Sequence, residues 1–318
     1  MPPSWLNHVQ LHVSAALLDD LVRQPVGESL LVRDTILGVP LEGHARVTAT
    51  THLRLVPHAE RAVFEMVLQG TARSATTGQS PPVIVHSEAI TTFTLTKRFF
   101  LDDAGLASQP ATCRAETHSV ITAVDTEWPG VRGWLARRLG WRRVQASHDA
   151  ADAIAARHAE RDLSRSFDQR CAGPIEQANV LLASRWLRGD ALASRRLSFY
   201  TTHQRFYARV MPARAAERDQ PVALDDGDAA VLAVPAHAIG VSQWLQLWGA
   251  WLRDGVGGVA RQLTGEPLSA AVVDWLAQPS TSGPRLSPIP SLADGWFRLT
   301  LRAEVPAQQA LSVARRAP

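Results

Sequence analysis

The feature that most constrains the fold is an abrupt change of texture near Gly130. Before it, long segments alternate apolar and polar residues and are rich in β-branched side chains. His44–Val56 keeps Val47 in phase with Leu53 and Leu55. Ala62–Gly70, Val83–Leu101 and Ala111–Asp125 follow, with the run Ile90-Thr91-Thr92-Phe93-Thr94-Leu95-Thr96 inside the third segment of this series. A period of two marks strands with one buried face. The Gly, Pro, Ser and Asp between them mark hairpin connections. Residues 131–188 are instead rich in Ala, Arg, Leu and Glu. That composition predicts one or two long helices, interrupted near Gly140 and Gly173-Pro174. The fold class is therefore α+β, a long antiparallel meander packed on a long helix.

A second pattern divides the chain. Val9-Gln10-Leu11-His12-Val13-Ser14 reads as a short strand and runs into the helical Ala15–Leu21. Ala230-Val231-Leu232-Ala233-Val234-Pro235 does the same and runs into Ala236–Trp244. Ser14 is a natural helix cap and Pro235 a natural first helical residue. The reading is two unequal halves, each opening with a strand-helix unit, within one continuous structural unit. Residues 1–190 form the first, the β-meander with its long helix. Residues 191–318 form the second, with a hairpin at 197–210, a polar loop at 213–228, the second strand-helix unit and a closing strand at 296–303. Pro25–Pro40 and Pro279–Pro290 read as connectors and 305–318 as a loose tail.

Composition excludes several classes. The chain has 318 residues, 46% hydrophobic and 20% charged, which suits a folded core. A net charge of +3 is too small to imply nucleic acid. The basic residues are almost all Arg, Lys97 being the single lysine. Cys113 and Cys171 are too few for a disulfide scaffold and read as two buried free thiols, with a single bridge between them as the alternative. Met1-Pro2-Pro3-Ser4-Trp5 carries no basic leader followed by an apolar stretch. The expectation is a cytoplasmic protein if Met1 is the true start, and an envelope-associated one if a leader precedes it.

Local motifs for catalysis fail on spacing. Cys113 and His118 are an odd number of residues apart on one strand and so face opposite ways. His44 and His52 share a face but lie about 27 Å apart along an extended strand. His148 and His158 lack an i, i+3 or i+4 relation. No metal and no cofactor is expected. Asp225-Asp226-Gly227-Asp228 lacks the alternation and closing Glu of a calcium loop. Gly255-Val256-Gly257-Gly258 follows a helix where a dinucleotide fingerprint needs a strand. There is no G-x-S-x-G elbow and no phosphate loop. A hydrolase site remains open only as a constellation assembled in three dimensions.

Two sets of aromatic residues stand out. Trp134, Arg137, Arg138, Trp141, Arg142 and Arg143 combine Trp with Arg, which suits an anionic membrane surface or RNA. On a helical wheel Val131, Trp134, Leu135, Leu139 and Trp141 share a broad arc that also takes in Arg138 and Arg142. This helix either packs on the sheet with its Arg stems reaching water, or presents a binding surface. Trp244, Trp248 and Trp251 recur at helical spacing and line either a core or a ligand cavity.

The order of elements resembles the tubular lipid-binding (TULIP-like) superfamily, through Val9–Leu21, His44–Val56, Ile90–Leu101 and the helical stretch 145–188. The resemblance implies a curved sheet wrapped on a long helix, with an apolar groove for acyl chains. The leading expectation is a non-enzymatic protein that binds a lipid or other hydrophobic small molecule near a membrane, or serves as a structural module. The alternatives are a hydrolase whose site forms only on folding, and an Arg/Trp surface that docks protein or anionic lipid. Nucleic acid is not an expected partner.

Overall fold

The structure, a computed structural model, describes residues 9–23, 25–183, 195–212, 228–235, 286–293 and 296–303. Its strands form two six-stranded sheets. In the larger, β2 (Pro25–Ile36), β3 (Val39–Val56), β4 (Ala62–Ser80) and β5 (Val83–Asp102) are antiparallel neighbours in chain order. β7 (Thr112–Thr126) covers most of the far side of β5, and the short β6 (Gly105–Ser108) covers its last residues. The sheet curls into a half-barrel. The α+β class and the antiparallel meander on a long helix hold.

Pro25–Ile36 is a strand and not the expected connector. It pairs with β3 through a two-residue turn, Leu37 at φ 51° and Gly38 at φ 77°. Two consecutive positive φ values give the twist that suits a hairpin. A Leu in the first position conceals that turn from sequence. Pro25 is tolerated because it is the first residue of an edge strand.

α2 (Gly130–Ala183) is one uninterrupted helix of 54 residues, about 80 Å long. The breaks expected at Gly140 and Gly173-Pro174 do not occur, because tertiary ties hold the helix on both sides of them. The ties form a ladder along the open side of the β6–β7 line. Asp168 accepts from the Ala111 N–H (3.0 Å), Glu160 from the Ala115 N–H (3.0 Å) and Asp152 from the Ser119 N–H (3.1 Å). Eight helical residues rise about 12 Å and four strand residues about 13 Å, so carboxylates eight apart meet amides four apart. Asn179 closes the row by accepting from the Leu106 N–H and donating to its carbonyl. A bare strand edge invites pairing with other chains; here helix side chains occupy it.

The opposite edge reaches the same helix. On β2, Asp34 meets His158 (2.8 Å) and Glu28 meets Arg170 (2.6 Å). α2 therefore lies between both margins of the curled sheet. Phe93, Val47 and Ala49 are buried on the inner face, with Leu163 of the helix packed on them. Phe93 stands opposite Gly70, which leaves room for its ring.

The smaller sheet runs β11 (Leu286–Ala293), β12 (Trp296–Ala303), β10 (Asp228–Pro235), β1 (Gln10–Ser14), β9 (Arg205–Pro212), β8 (Arg195–Thr201), all antiparallel. The two strands that open the halves, β1 and β10, are direct neighbours here, Gln10 opposite Ala233. α1 (Ala15–Val22) follows β1, and Ser14 Oγ accepts the Leu17 N–H as its cap. Part of the expected Pro279–Pro290 connector is strand β11, an edge position where Pro288 and Pro290 are admissible. Thr201 joins the sheets. Its backbone pairs with His58, and its hydroxyl donates to the Val56 carbonyl (2.6 Å) and accepts the Val63 N–H (3.1 Å).

Candidate functional site

Where α2 begins, it turns small residues to the sheet. Gly133 is buried, Ala136 and Gly140 are half-buried, and a Cβ on Gly140 would lie 3.1 Å from Val83. This close seat forces the large side chains outward. Val131 is 82% exposed, Leu139 58%, Trp134 53% and Leu135 50%, with Trp128 and Trp141 exposed beside them. The β2–β3 turn lies at the same end of the sheet, and its Leu37 is exposed too. Arg138 stacks over Trp134 at 5.4 Å. Arg137, Arg142 and Arg143 are exposed. From Trp128 to Ala146 there are five arginines and no acidic residue, and the positive end of the helix dipole adds to them. The expected surface-binding residues thus come together at one end of the molecule, outside the packing.

Further along α2 lies a groove of about 760 Å³. Its floor is the Lys97–Asp168 pair (2.5 Å), and Ala172, Ile175 and Val180 supply apolar helix positions. Lys97 shares the inward side of β5 with Phe93 and Leu95 and is 4% exposed. Its ammonium also donates to the Gln109 carbonyl (2.9 Å). Lys97 stands out in the sequence as the single lysine, with no local motif around it that marks a site. The available signal was its phase with Phe93 and Leu95.

The smaller sheet also buries a polar ring. His12 is 1% exposed, neither ring nitrogen has a hydrogen-bond partner among the described residues, and its ring meets Tyr207 edge-on at 4.7 Å. Tyr207 stacks on Tyr200, whose hydroxyl accepts from Arg209 (2.6 Å). Burial, then the charges of Arg209 and Arg205, lower the His12 pKa to about 4.

Ser119, Asp152 and His148 form a Ser, Asp and His set, but in an order unsuited to catalysis. Ser119 Oγ donates to Asp152 (2.5 Å) and His148 lies 3.8 Å from the same carboxylate. The imidazole does not stand between serine and carboxylate, as a nucleophile-base relay needs. Cys113 and Cys171 are free; burial and the Glu160 charge push the Cys113 thiol up to about 11, far from a reactive thiolate. Among the described residues no three His, Cys, Asp or Glu side chains are placed to hold a metal, and no helix is long and apolar enough to cross a membrane. Trp244, Trp248 and Trp251 lie outside the described residues.

No protein-family model matches the chain, and no curated protein is similar to it in sequence. Among solved structures it is similar to a lipopolysaccharide binding protein, with a TM-score of 0.32 and 9% identity. The match covers 76% of this chain and 59% of that one, so the chain spans less than two thirds of that protein's length.

Proposed function

We propose that this protein binds lipid and works on an anionic membrane surface, docked end-on through the beginning of α2. One observation carries the reading: the helix seats its glycines on the sheet and holds Trp134, Leu135 and Leu139 in solvent among five arginines. A helix placed only to cover a sheet buries its large apolar residues, whereas this one exposes them. Trp and Leu suit the interfacial layer of a bilayer. Each Arg near an anionic leaflet adds about 1 kcal/mol of attraction. The bound lipid is the second part of the reading, supported by the curled sheet closed on a helix and the groove beside it.

Vesicle flotation tests the docking. Binding to phosphatidylglycerol vesicles is expected, with little to phosphatidylcholine, and it weakens as salt shortens the electrostatic range. The double substitution Arg137→Glu and Arg138→Glu is expected to weaken it at least about ten-fold. Absence of vesicle binding, or binding indifferent to salt, would overturn the electrostatic docking.

A further inference from the structure

The groove along α2 carries enough chemistry to name the head group it accepts; this inference rests on the lipid-binding reading above. Lys97 is nearly fully buried, yet its three N–H donors meet two acceptors among the described residues, Asp168 Oδ1 and the Gln109 carbonyl. Asp168 is half used as well. Its Oδ1 accepts from both Lys97 and the Ala111 N–H, while Oδ2 accepts from nothing among the described residues. One donor and one acceptor are thus left on a single ion pair that floors the groove.

Charge selects between the groups that satisfy such a pair. A carboxylate or phosphate would take the free Lys97 donor but would face Asp168 Oδ2 directly and Glu176 at the rim. With one cation against two carboxylates, the lining repels an anion. A hydroxyl accepts from the ammonium and donates to the carboxylate at the same time. Above the pair, Pro110, Ala172, Ile175 and Val180 offer apolar surface to a hydrocarbon chain. Asn179 is committed to the Leu106 N–H and carbonyl through both ends of its side-chain amide and competes little for the head.

We infer that this groove binds an uncharged amphiphile with a hydroxyl-bearing head, of the monoacylglycerol class, its hydroxyl seated on Lys97 and Asp168 and its chain along Ala172, Ile175 and Val180. The same site discriminates against free fatty acids. It stands about 50 Å along α2 from the Trp/Arg end, so it is separate from the docking surface.

The test is calorimetric titration of the full chain with 1-monodecanoylglycerol and with decanoate, each below its aggregation concentration. The monoacylglycerol is expected to bind at least ten-fold more tightly. Glu176→Gln, at an exposed position, is expected to narrow that ratio by strengthening decanoate. Ala172→Trp, also at an exposed position, is expected to abolish uptake of both by filling the groove, with an unchanged circular dichroism spectrum. Equal or tighter binding of decanoate overturns the head-group assignment. Undiminished uptake by Ala172→Trp places the site elsewhere and overturns this inference while lipid binding stands. No uptake of either compound by the unmodified chain removes the lipid-binding reading itself.

Discussion

At the residue scale the most unusual group is His12, an imidazole sealed in the smaller sheet with both nitrogens unpartnered among the described residues. It stays neutral in the folded protein because charging it would cost desolvation beside Arg209 and Arg205. In the unfolded chain it takes up a proton near its ordinary pKa of 6.5. Its folded pKa is the lower of the two, so the unfolded state binds more protons as pH falls from 6.5 to about 4. Stability is therefore lost on acidification through that window, by about 2–3 kcal/mol for this group. Urea unfolding of the wild type and His12→Leu at pH 7 and pH 4.5 checks this. The variant is expected to lack that part of the acid loss, and parallel curves would refute it. Burial and the absence of partners were invisible in sequence, where His12 is one polar position in a short alternating strand.

At the scale of elements, both helices serve the sheet edges with carboxylates. Where β3 outruns β2, Asp19 of α1 accepts the Leu53 N–H (2.8 Å). Burial opposes the Asp19 charge, but the Leu53 amide and Arg23 outweigh it and hold the carboxyl below its usual range. Along β7 the same device is repeated by Asp152, Glu160 and Asp168. Asp152→Ala and Glu160→Ala are each expected to cost about 1–3 kcal/mol by stripping a strand amide of its acceptor. Asp168→Ala is expected to cost more, about 3–5 kcal/mol, because the buried Lys97 loses its counter-charge. Denaturant midpoints check the order, and the first two losses are expected to add because the rungs do not touch. The segments His44–Val56, Ala62–Gly70, Val83–Leu101 and Ala111–Asp125 were legible as strands because one face of each is buried and alternation survives, whereas the stretches that carry β3 back to Val39 and β4 on to Ser80 were not. Nor were β2 and β11, since Pro25 and Gly27 open the one and Pro288 and Pro290 interrupt the other, and edge positions forgive them. The unbroken α2 was not legible either: local breakers predict interruptions, and what overrides them is contact with residues such as Lys97 and Leu106, far off in the chain.

At the scale of the whole molecule, the Trp/Arg end and the smaller sheet lie at opposite ends of the long strands. The β3–β4 connection, with His58, meets Thr201 of the smaller sheet, whereas the β4–β5 connection lies beside the start of α2. Ala104, in the β5–β6 turn, is about 60 Å from the Val83 end of β5. With both native cysteines replaced by Ala, a nitroxide on Leu139→Cys is expected to enter the bilayer of anionic vesicles, and one on Ala104→Cys to remain in water. Equal accessibility of both labels to a water-soluble relaxant would rule out end-on docking. The Trp/Arg residues were legible as a segment, but their exposure was not. The helical wheel mixed Arg138 and Arg142 with the apolar arc, and only contact between Gly140 and Val83 reveals which side faces the sheet.

The ladder between α2 and β7 also behaves as a vernier. Each step of eight helical residues falls about 1 Å short of four strand residues. After the three carboxylate rungs the lag is about 2 Å, and Glu176, the next residue in the series, lines the groove while Asn179 makes the contact with Leu106. Two scales ruled at different pitch coincide over a limited stretch and must then be reset. The reset falls beside the groove, so the spacing that seals the strand edge also fixes where along the helix a side chain such as Glu176 is released from edge duty. One residue inserted between Asp152 and Asp168 would turn every later position by about 100°, shifting that point and uncoupling the groove from Lys97 while the strands themselves stayed paired.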